Sequence, residues 1–315
     1  MNAEIVATLA LLMAARNAFV ALNRLAASAR QMGLSLAELC EQPPMERTRN
    51  ASVCGSVVAS AVARLSAEDL EKARAILKRS AAQGIWMENR GAEGYPEILD
   101  RRMGEAAPPI LFGKGEQSLL KDEMAAIVGT RTPSERGSAL AADCASWMVR
   151  HGIAVVSGGA KGVDSAAHEN AIAAGGRTLA VLPQGLLVHA ASRAMTAAMA
   201  EGKAVLISPF PPTAQWATHA AIMRNAIIAA FARCVCVVEP FREGGSVRTA
   251  RFALSRGIPV FVAAPPVDNA ACDHLIKAGA QSLLTSGGEL DLDALKRAWK
   301  QETGGKSRRE QLLLP

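Results

Sequence analysis

The residues best suited to chemistry lie in Ile153-Ala-Val-Val-Ser-Gly-Gly-Ala-Lys-Gly-Val-Asp-Ser-Ala-Ala-His168. The opening residues, apolar or small up to Ser157, read as a short buried strand. Gly158, Gly159 and Gly162 break the pattern, and from Asp164 it turns helical until Gly175-Gly176 stop it. Strand, glycine loop and helix together present backbone N–H groups and a helix N-terminus to an anion. Glycine lets a phosphate approach closely and tolerates positive φ. Lys161 adds a cation inside the loop. Asp164 or Ser165 can cap the helix, and Asp164 and His168, four apart, share the face that begins at the loop. The same pattern also serves a plain tight turn in a parallel sheet. The spacing is not that of a dinucleotide-binding GxGxxG loop, and no acidic residue ends the next strand to hold a ribose.

The elements that must position this loop follow from the rest of the chain. Its 315 residues, half of them hydrophobic, are enough for a large domain plus a smaller one. The formal net charge of +6 suits a polyanionic partner such as nucleic acid, and is also met in many proteins without one. The six cysteines form no CxxC pair and no cluster with zinc spacing, so no metal site is expected. Cys234 and Cys236 alternate on an apolar run and read as core thiols of a strand, a cytosolic usage. The apolar stretch Ile5 to Met13 lacks the positive flank of a signal peptide and is cut short by Arg16 and Asn17. The expectation is a cytoplasmic protein with no membrane contact.

Residues 1–92 read as a small helical domain. Ile5, Leu9, Leu12, Ala15 and Phe19 recur at helical spacing, and a second apolar helix runs from about Ala51 to Ala63. Ser66-Ala-Glu-Asp69 resembles a capping box at the start of a third. Residues 42–50 read as a loop, and Gly94 to Gly115 as a turn-rich connection with a strand at Ile110 to Phe112. From Met124 strand and helix alternate. Strands are expected at Ala125–Gly129, Ile153–Ser157, Thr178–Leu182, Ala204–Ser208, Cys234–Val238 and Val260–Val262. Helices are expected at Ser138–Arg150, Asp164–Ala174, Ser192–Ala200, Ala220–Phe231 and Ser246–Arg256. Short apolar strands spaced by helices give an α/β fold, a mostly parallel sheet with helices on both faces. The expected division is 1–92 helical, 93–289 α/β, and 290–315 a C-terminal helix with a flexible tail. Ligands bind such sheets at the carboxyl ends of the strands. Arg131, Lys161 and Arg224 are therefore expected at one rim. Phe210, Trp216 and Phe241 are the only loop aromatics there.

Several strand-end segments together resemble the DNA-processing protein A family (DprA, also called Smf). They are Ala126-Ile-Val-Gly-Thr-Arg131, Val155 to His168, Thr178-Leu-Ala-Val-Leu182 with Gly185, and Met223-Arg-Asn-Ala-Ile-Ile228. Val237-Val-Glu-Pro240 with Gly244-Gly-Ser246 and Thr249, and Leu275-Ile-Lys-Ala-Gly-Ala280, complete the set, with Tyr95-Pro96 and Pro108-Pro109 upstream. The resemblance covers roughly residues 93 to 285. It implies an extended Rossmann-like fold that binds single-stranded DNA, dimerises, and loads a RecA-type recombinase during natural transformation. It implies no catalytic residue and no cofactor. Carried over, Arg131, Lys161 and Arg224 match positions near DNA phosphates, with Gly158, Gly159 and Gly162 shaping the loop. Ser246 and Thr249 match a turn that donates to phosphate or caps itself. Asp164 and His168 match supports of the helix start, and Glu239 an anchor for Arg224 or a ligand.

The sequence departs from the family at Pro209, Ala226 and Pro265, and the family's winged-helix domain is not expected after Pro315. Two other expectations therefore stand beside the first. One is a non-catalytic nucleotide sensor using the same loops. The other is a nucleotide phosphoribohydrolase of the lysine-decarboxylase-like (LOG) type. Its nearest match here, Gly244-Gly-Ser-Val-Arg-Thr-Ala-Arg251, places a cation where that chemistry needs a carboxylate.

Overall fold

The computed structural model describes residues 2–241, 244–264 and 270–304. In chain order its helices are α1 Ala3–Ala14, α2 Phe19–Gln31, α3 Leu36–Glu41, α4 Pro44–Ala51, α5 Ser56–Arg64, α6 Ala67–Ala82, α7 Glu97–Met103, α8 Glu135–Arg150, α9 Val163–Ala173, α10 Arg193–Ala200, α11 Thr218–Phe231, α12 Gly245–Ser255, α13 Ala270–Lys277 and α14 Leu292–Gly304. The strands are β1 Ile85–Asn89, β2 Ile110–Gly115, β3 Met124–Gly129, β4 Ala154–Ser157, β5 Thr178–Val181, β6 Ala204–Ser208, β7 Ala232–Val238, β8 Val260–Ala263 and β9 Gln281–Ser282. They divide between two compact units. One comprises Met1–Lys121 and Thr178–Ala230, the other Asp122–Arg177 and the chain from Phe231 onward. The boundaries expected near 92 and 289 thus do not coincide with those of the units: β5, β6 and most of α11 join the N-terminal helices. Pro265 and residues 305–315 lie outside the described residues.

In the first unit the apolar N-terminal stretch is a core helix. α1 buries Val6, Ala7 and Leu9 to Leu12, and the Asn2 side chain caps it by accepting from Glu4 N–H at 2.9 Å. The helical spacing that suggested one run through Phe19 is interrupted, because Arg16 and Asn17 adopt left-handed conformations at φ 49° and 63°. The Glu4 carboxylate then accepts from Leu36 and Ala37 N–H at 3.2 and 2.9 Å, closing the N-terminus of α3. Residues 42–50, expected as a loop, instead contain α4, for which Pro44 supplies a first turn that needs no N–H. α6 begins with the expected capping box, Ser66 and Asp69 each bonding the other's backbone N–H. β1 pairs antiparallel with β2, β2 antiparallel with β6, and β6 parallel with β5. The edge strand β1 and the helix α7 are additions to the sequence reading. Two of the family-like segments are tied together here: buried Tyr95 donates its hydroxyl to Pro108 O at 2.8 Å, and burial pushes that phenol well above its ordinary pKa.

The second unit is the parallel α/β part, with strand order β4-β3-β7-β8-β9 and every neighbouring pair parallel. Apart from the short exposed edge strand β9, its strands are almost wholly buried, which explains their near-continuous apolar sequences. Ile127, Val155, Cys236, Phe261, Met148 and Leu295 belong to one core shared with α8, α9 and α14. Truncating one of the large aliphatic members would cost about 2–5 kcal/mol. α14 is fastened to β7 by Arg233, whose guanidinium lies 4.3 Å from the Trp299 ring centre and donates to Trp299 O at 2.7 Å. The mostly parallel, Rossmann-like α/β class and the helical N-terminal region are as the sequence implied. Among the described residues no helix is long and apolar enough to cross a membrane, and no group of three or more His, Cys, Asp or Glu could hold a metal ion.

Candidate nucleic-acid interface

β3 is flanked by β4 and β7, all three parallel, so the loops that follow them leave one edge of the second unit side by side. The loop after β3 carries Arg131, the loop after β4 carries Lys161, and the segment after β7 opens with Glu239. Backbone contact, rather than side-chain packing, locks the first two together. Gly129 has no room for a side chain: a Cβ would lie 2.2 Å from Val238 O and 2.6 Å from a Val163 methyl. Thr130 N–H donates to Val238 O at 3.3 Å, and Val163 N–H donates to Thr130 O at 3.1 Å. Gly162, at φ 84°, faces the same loop; a Cβ there would stand 2.5 Å from Thr130 O and 2.7 Å from Arg131 O. The sequence spacing of these glycines is thus a steric requirement of two interlocked loops.

What the interlock presents is positive. Arg131 and Lys161 are both exposed. Among the described residues, the backbone N–H groups of Gly159, Lys161 and Gly162 carry no hydrogen bond. Gly159 and Gly162 both have positive φ, at 67° and 84°. Gly158 is buried at the end of β4, where Ser157 donates its hydroxyl to Ile127 O at 2.5 Å. α9 starts at Val163 with Gly162 as its N-cap and no side-chain cap, so neither Asp164 nor Ser165 caps it as expected. Asp164 instead reaches back under the loop toward Ala160 N–H, at 3.4 Å, and the Ser165 hydroxyl donates to Gly162 O at 3.0 Å. Asp164 and His168 are both buried.

Glu239 has a partner that no local pattern announced. Its carboxylate accepts from Ser134 N–H at 2.8 Å and from the Ser134 hydroxyl, while that hydroxyl accepts from Gly137 N–H at 3.0 Å. A Cβ on Gly137 would meet the carboxyl carbon at 2.5 Å, so glycine is what admits Glu239 to the start of α8. Glu239 is itself left-handed at φ 47°. The N-terminus of α8, which also follows an expected phosphate loop, is therefore filled by an anion of the chain's own.

The remaining expected contacts fall elsewhere. Thr249 is buried and spends its one hydroxyl proton on Gly245 O at 3.1 Å, and Ser246 is buried in the first turn of α12. Ser246 is 7 % exposed and Thr249 1 %, and no side chain caps the N-terminus of α12. Arg224 belongs to α11, in the first unit, and is 6 % exposed, beside the buried Asn225. The apolar run Ala-Ile-Ile-Ala-Ala-Phe that follows makes α11 a core helix, so Arg224 is not a solvent-facing cation of the kind Arg131 and Lys161 are. Of the three loop aromatics, Phe210 is core at 1 % exposure, and only Trp216 and Phe241 reach solvent.

The model of the DNA recombination-mediator protein A family matches residues 87–290, more than half of the chain. The chain belongs to this family. The DNA recombination-mediator family places the interlocked loops inside the matched region. Among curated relatives, a putative DNA processing protein DprA of Mycobacterium tuberculosis is 35 % identical over 187 residues, 58 % of this chain and 47 % of that one. The DNA processing protein DprA of Streptococcus pneumoniae is 36 % identical over 186 residues, 58 % of this chain and 65 % of that one. The chain thus spans about half to two thirds of the length of the curated relatives it matches. A crystal structure of the S. pneumoniae protein superposes with a TM-score of 0.62 at 28 % identity, covering 77 % of this chain and 83 % of that one. The Helicobacter pylori DNA processing protein A, described for its single-stranded DNA binding mode, superposes at 0.57 with 21 % identity, covering 69 % and 96 %, a likeness of fold.

Proposed function

We propose that the chain binds single-stranded DNA through its sugar–phosphate backbone and acts as a recombination mediator of the DprA kind. The observation that carries this reading is the pair of exposed cations, Arg131 and Lys161, on two loops interlocked backbone to backbone, with three unbonded amides in the Lys161 loop. Cations and oriented N–H groups bind phosphate without regard to sequence, and the affinity falls with salt as counterions are released. The single-stranded DNA binding mode described for the H. pylori protein is in keeping with it. The reading includes a cytoplasmic homodimer that delivers DNA to a RecA-type recombinase, with no cofactor and no catalytic step. The roles of Arg224, Ser246 and Thr249 within it are structural: each is buried.

Glu239 counts against the nucleotide-sensor alternative at α8. A terminal phosphate would have to displace a carboxylate that already takes up Ser134. Hydrolysis of the LOG type lacks support as well: Arg251 is an exposed cation on α12, and Glu239, the carboxylate at the start of that loop, is committed to Ser134.

The test is anisotropy of a fluorescent single-stranded oligonucleotide. Arg131→Ala and Lys161→Ala each weaken binding, by the same factor on mixed, pyrimidine-only and purine-only strands. Competition by micromolar AMP, with little response to salt, would instead favour the sensor. Release of free adenine from AMP would favour the enzyme.

A further inference from the structure

The phosphate loops explain attraction to any polyanion but leave nothing that prefers single strands. We infer that Phe241 supplies this: it is a base-stacking residue placed one strand away from Arg131, and it takes the face of an unpaired nucleobase whose backbone lies on the Arg131 and Lys161 loops. The inference rests on the single-stranded DNA reading above.

A lone exposed hydrophobic residue is ordinary on a protein surface. Position is what distinguishes this one. Among the described residues the exposed aromatics are Trp216 and Phe241, and only Phe241, 76 % exposed, belongs to the unit that carries Arg131 and Lys161. It follows β7, the strand beside β3, while Lys161 follows β4 on the other side of β3. Neighbouring strands lie about 4.8 Å apart, so the three loops leave the sheet within roughly 10 Å. That places one aromatic face and two cations within reach of one short stretch of nucleic acid.

The exit of Phe241 from the sheet is also fixed. Glu239, left-handed at φ 47°, turns the chain out of β7, and its carboxylate is pinned to Ser134. Pro240 restricts the next step, and Phe241 O accepts from Gly244 N–H at 2.9 Å. The ring is thus held off the sheet edge by backbone restraints while making little use of burial. Arg248 and Arg251 are exposed on α12, the helix that comes next in the chain, and add positive charge there. An aromatic flanked by cations is what a single strand requires and a duplex cannot use, since the bases of a duplex are already stacked.

The experiment compares wild type, Phe241→Ala and Phe241→Trp on an ordinary single-stranded oligonucleotide and on an abasic strand of equal length. Phe241→Ala should weaken the ordinary strand roughly 5- to 150-fold, the range for losing a stacked base. It should leave the abasic strand and the salt slope unchanged, because it removes no cation. Phe241→Trp should bind the ordinary strand within a few-fold of wild type. The residue is so exposed that both variants keep their circular dichroism spectrum. Equal affinity of Phe241→Ala and wild type for the ordinary strand, or an equal loss on the abasic strand, overturns the stacking role. Arg131→Ala is the control for the underlying reading: a normal loss with Arg131→Ala beside no loss with Phe241→Ala sinks only the stacking role. No loss with Arg131→Ala sinks the DNA site and the inference with it.

Discussion

Gly162 lies directly against the Thr130 carbonyl, with space for a hydrogen but not for a methyl group. A Cβ would lie 2.5 Å from that oxygen, which also accepts the N–H of Val163 at 3.1 Å. Each loop thus sets the position of the other, and the cations they carry, Arg131 and Lys161, inherit that register. Gly162→Ala should destabilise the fold by about 1–3 kcal/mol from the backbone conformation alone. It should also lower oligonucleotide affinity while leaving both cations in place. Urea denaturation followed by anisotropy at a temperature where the variant remains folded separates the two effects.

The Glu239–Ser134 contact joins segments 105 residues apart. Glu239→Ala leaves Ser134 N–H and the start of α8 without their acceptor, a loss of about 1–3 kcal/mol in urea denaturation. Glu239→Gln, which keeps an acceptor oxygen, should lose less. If the carboxylate also keeps phosphate away from α8, Glu239→Ala binds inorganic phosphate more tightly than wild type.

At the start of α6, Ser66 and Asp69 form a reciprocal cap, and the Ser66 hydroxyl and N–H hold the Asp69 carboxyl below its ordinary value of 3.8. A depressed folded pKa means the contribution is present above 3.8 and disappears as pH falls through the lowered folded value. Ser66→Ala should cost about 1 kcal/mol at neutral pH. In thermal melts at a series of pH values, the gap between Asp69→Asn and wild type should close on the acid side of that value and remain constant toward pH 7.

All six cysteines are buried. Burial pushes the Cys40 thiol up to about 12 and Cys272 to about 11, while hydrogen bonding with Cys144 and Cys234, and then burial, raise Cys236. Thiolate is the reactive form. Ellman's reagent at pH 8 should therefore label none of them in the native protein and all six after unfolding. Rapid labelling of Cys234 or Cys236 in the native state would contradict the core described for the second unit.

What could be read in the sequence was what is local or periodic. β3, β4 and β6 to β8 are short apolar runs because parallel strands are buried on both faces, and the Ser66 cap is written within four residues. β1 was missed because Trp86-Met-Glu-Asn89 is only half-buried and shows neither an apolar run nor a clean alternation. α4 was missed because Pro43-Pro44 resembles a loop, although a proline in the first turn is compatible with a helix. In the site, the glycine loop and its lysine were legible as a motif. The contact of Gly162 with Thr130 and the pairing of Glu239 with Ser134 were not, since they depend on which strands lie side by side. The burial of Arg224, Thr249 and Phe210 was likewise invisible: a residue's type does not say which side of its element faces the core.

The central claim is that Arg131 and Lys161 hold phosphates of a single strand, and the dependence of affinity on salt measures this most directly. Log K against log salt concentration should be linear and steep for wild type. The slope should become shallower by about 0.7 in each of Arg131→Ala and Lys161→Ala, the change expected for one phosphate contact on a single strand. A flat wild-type line, or two variants with the wild-type slope, would contradict it.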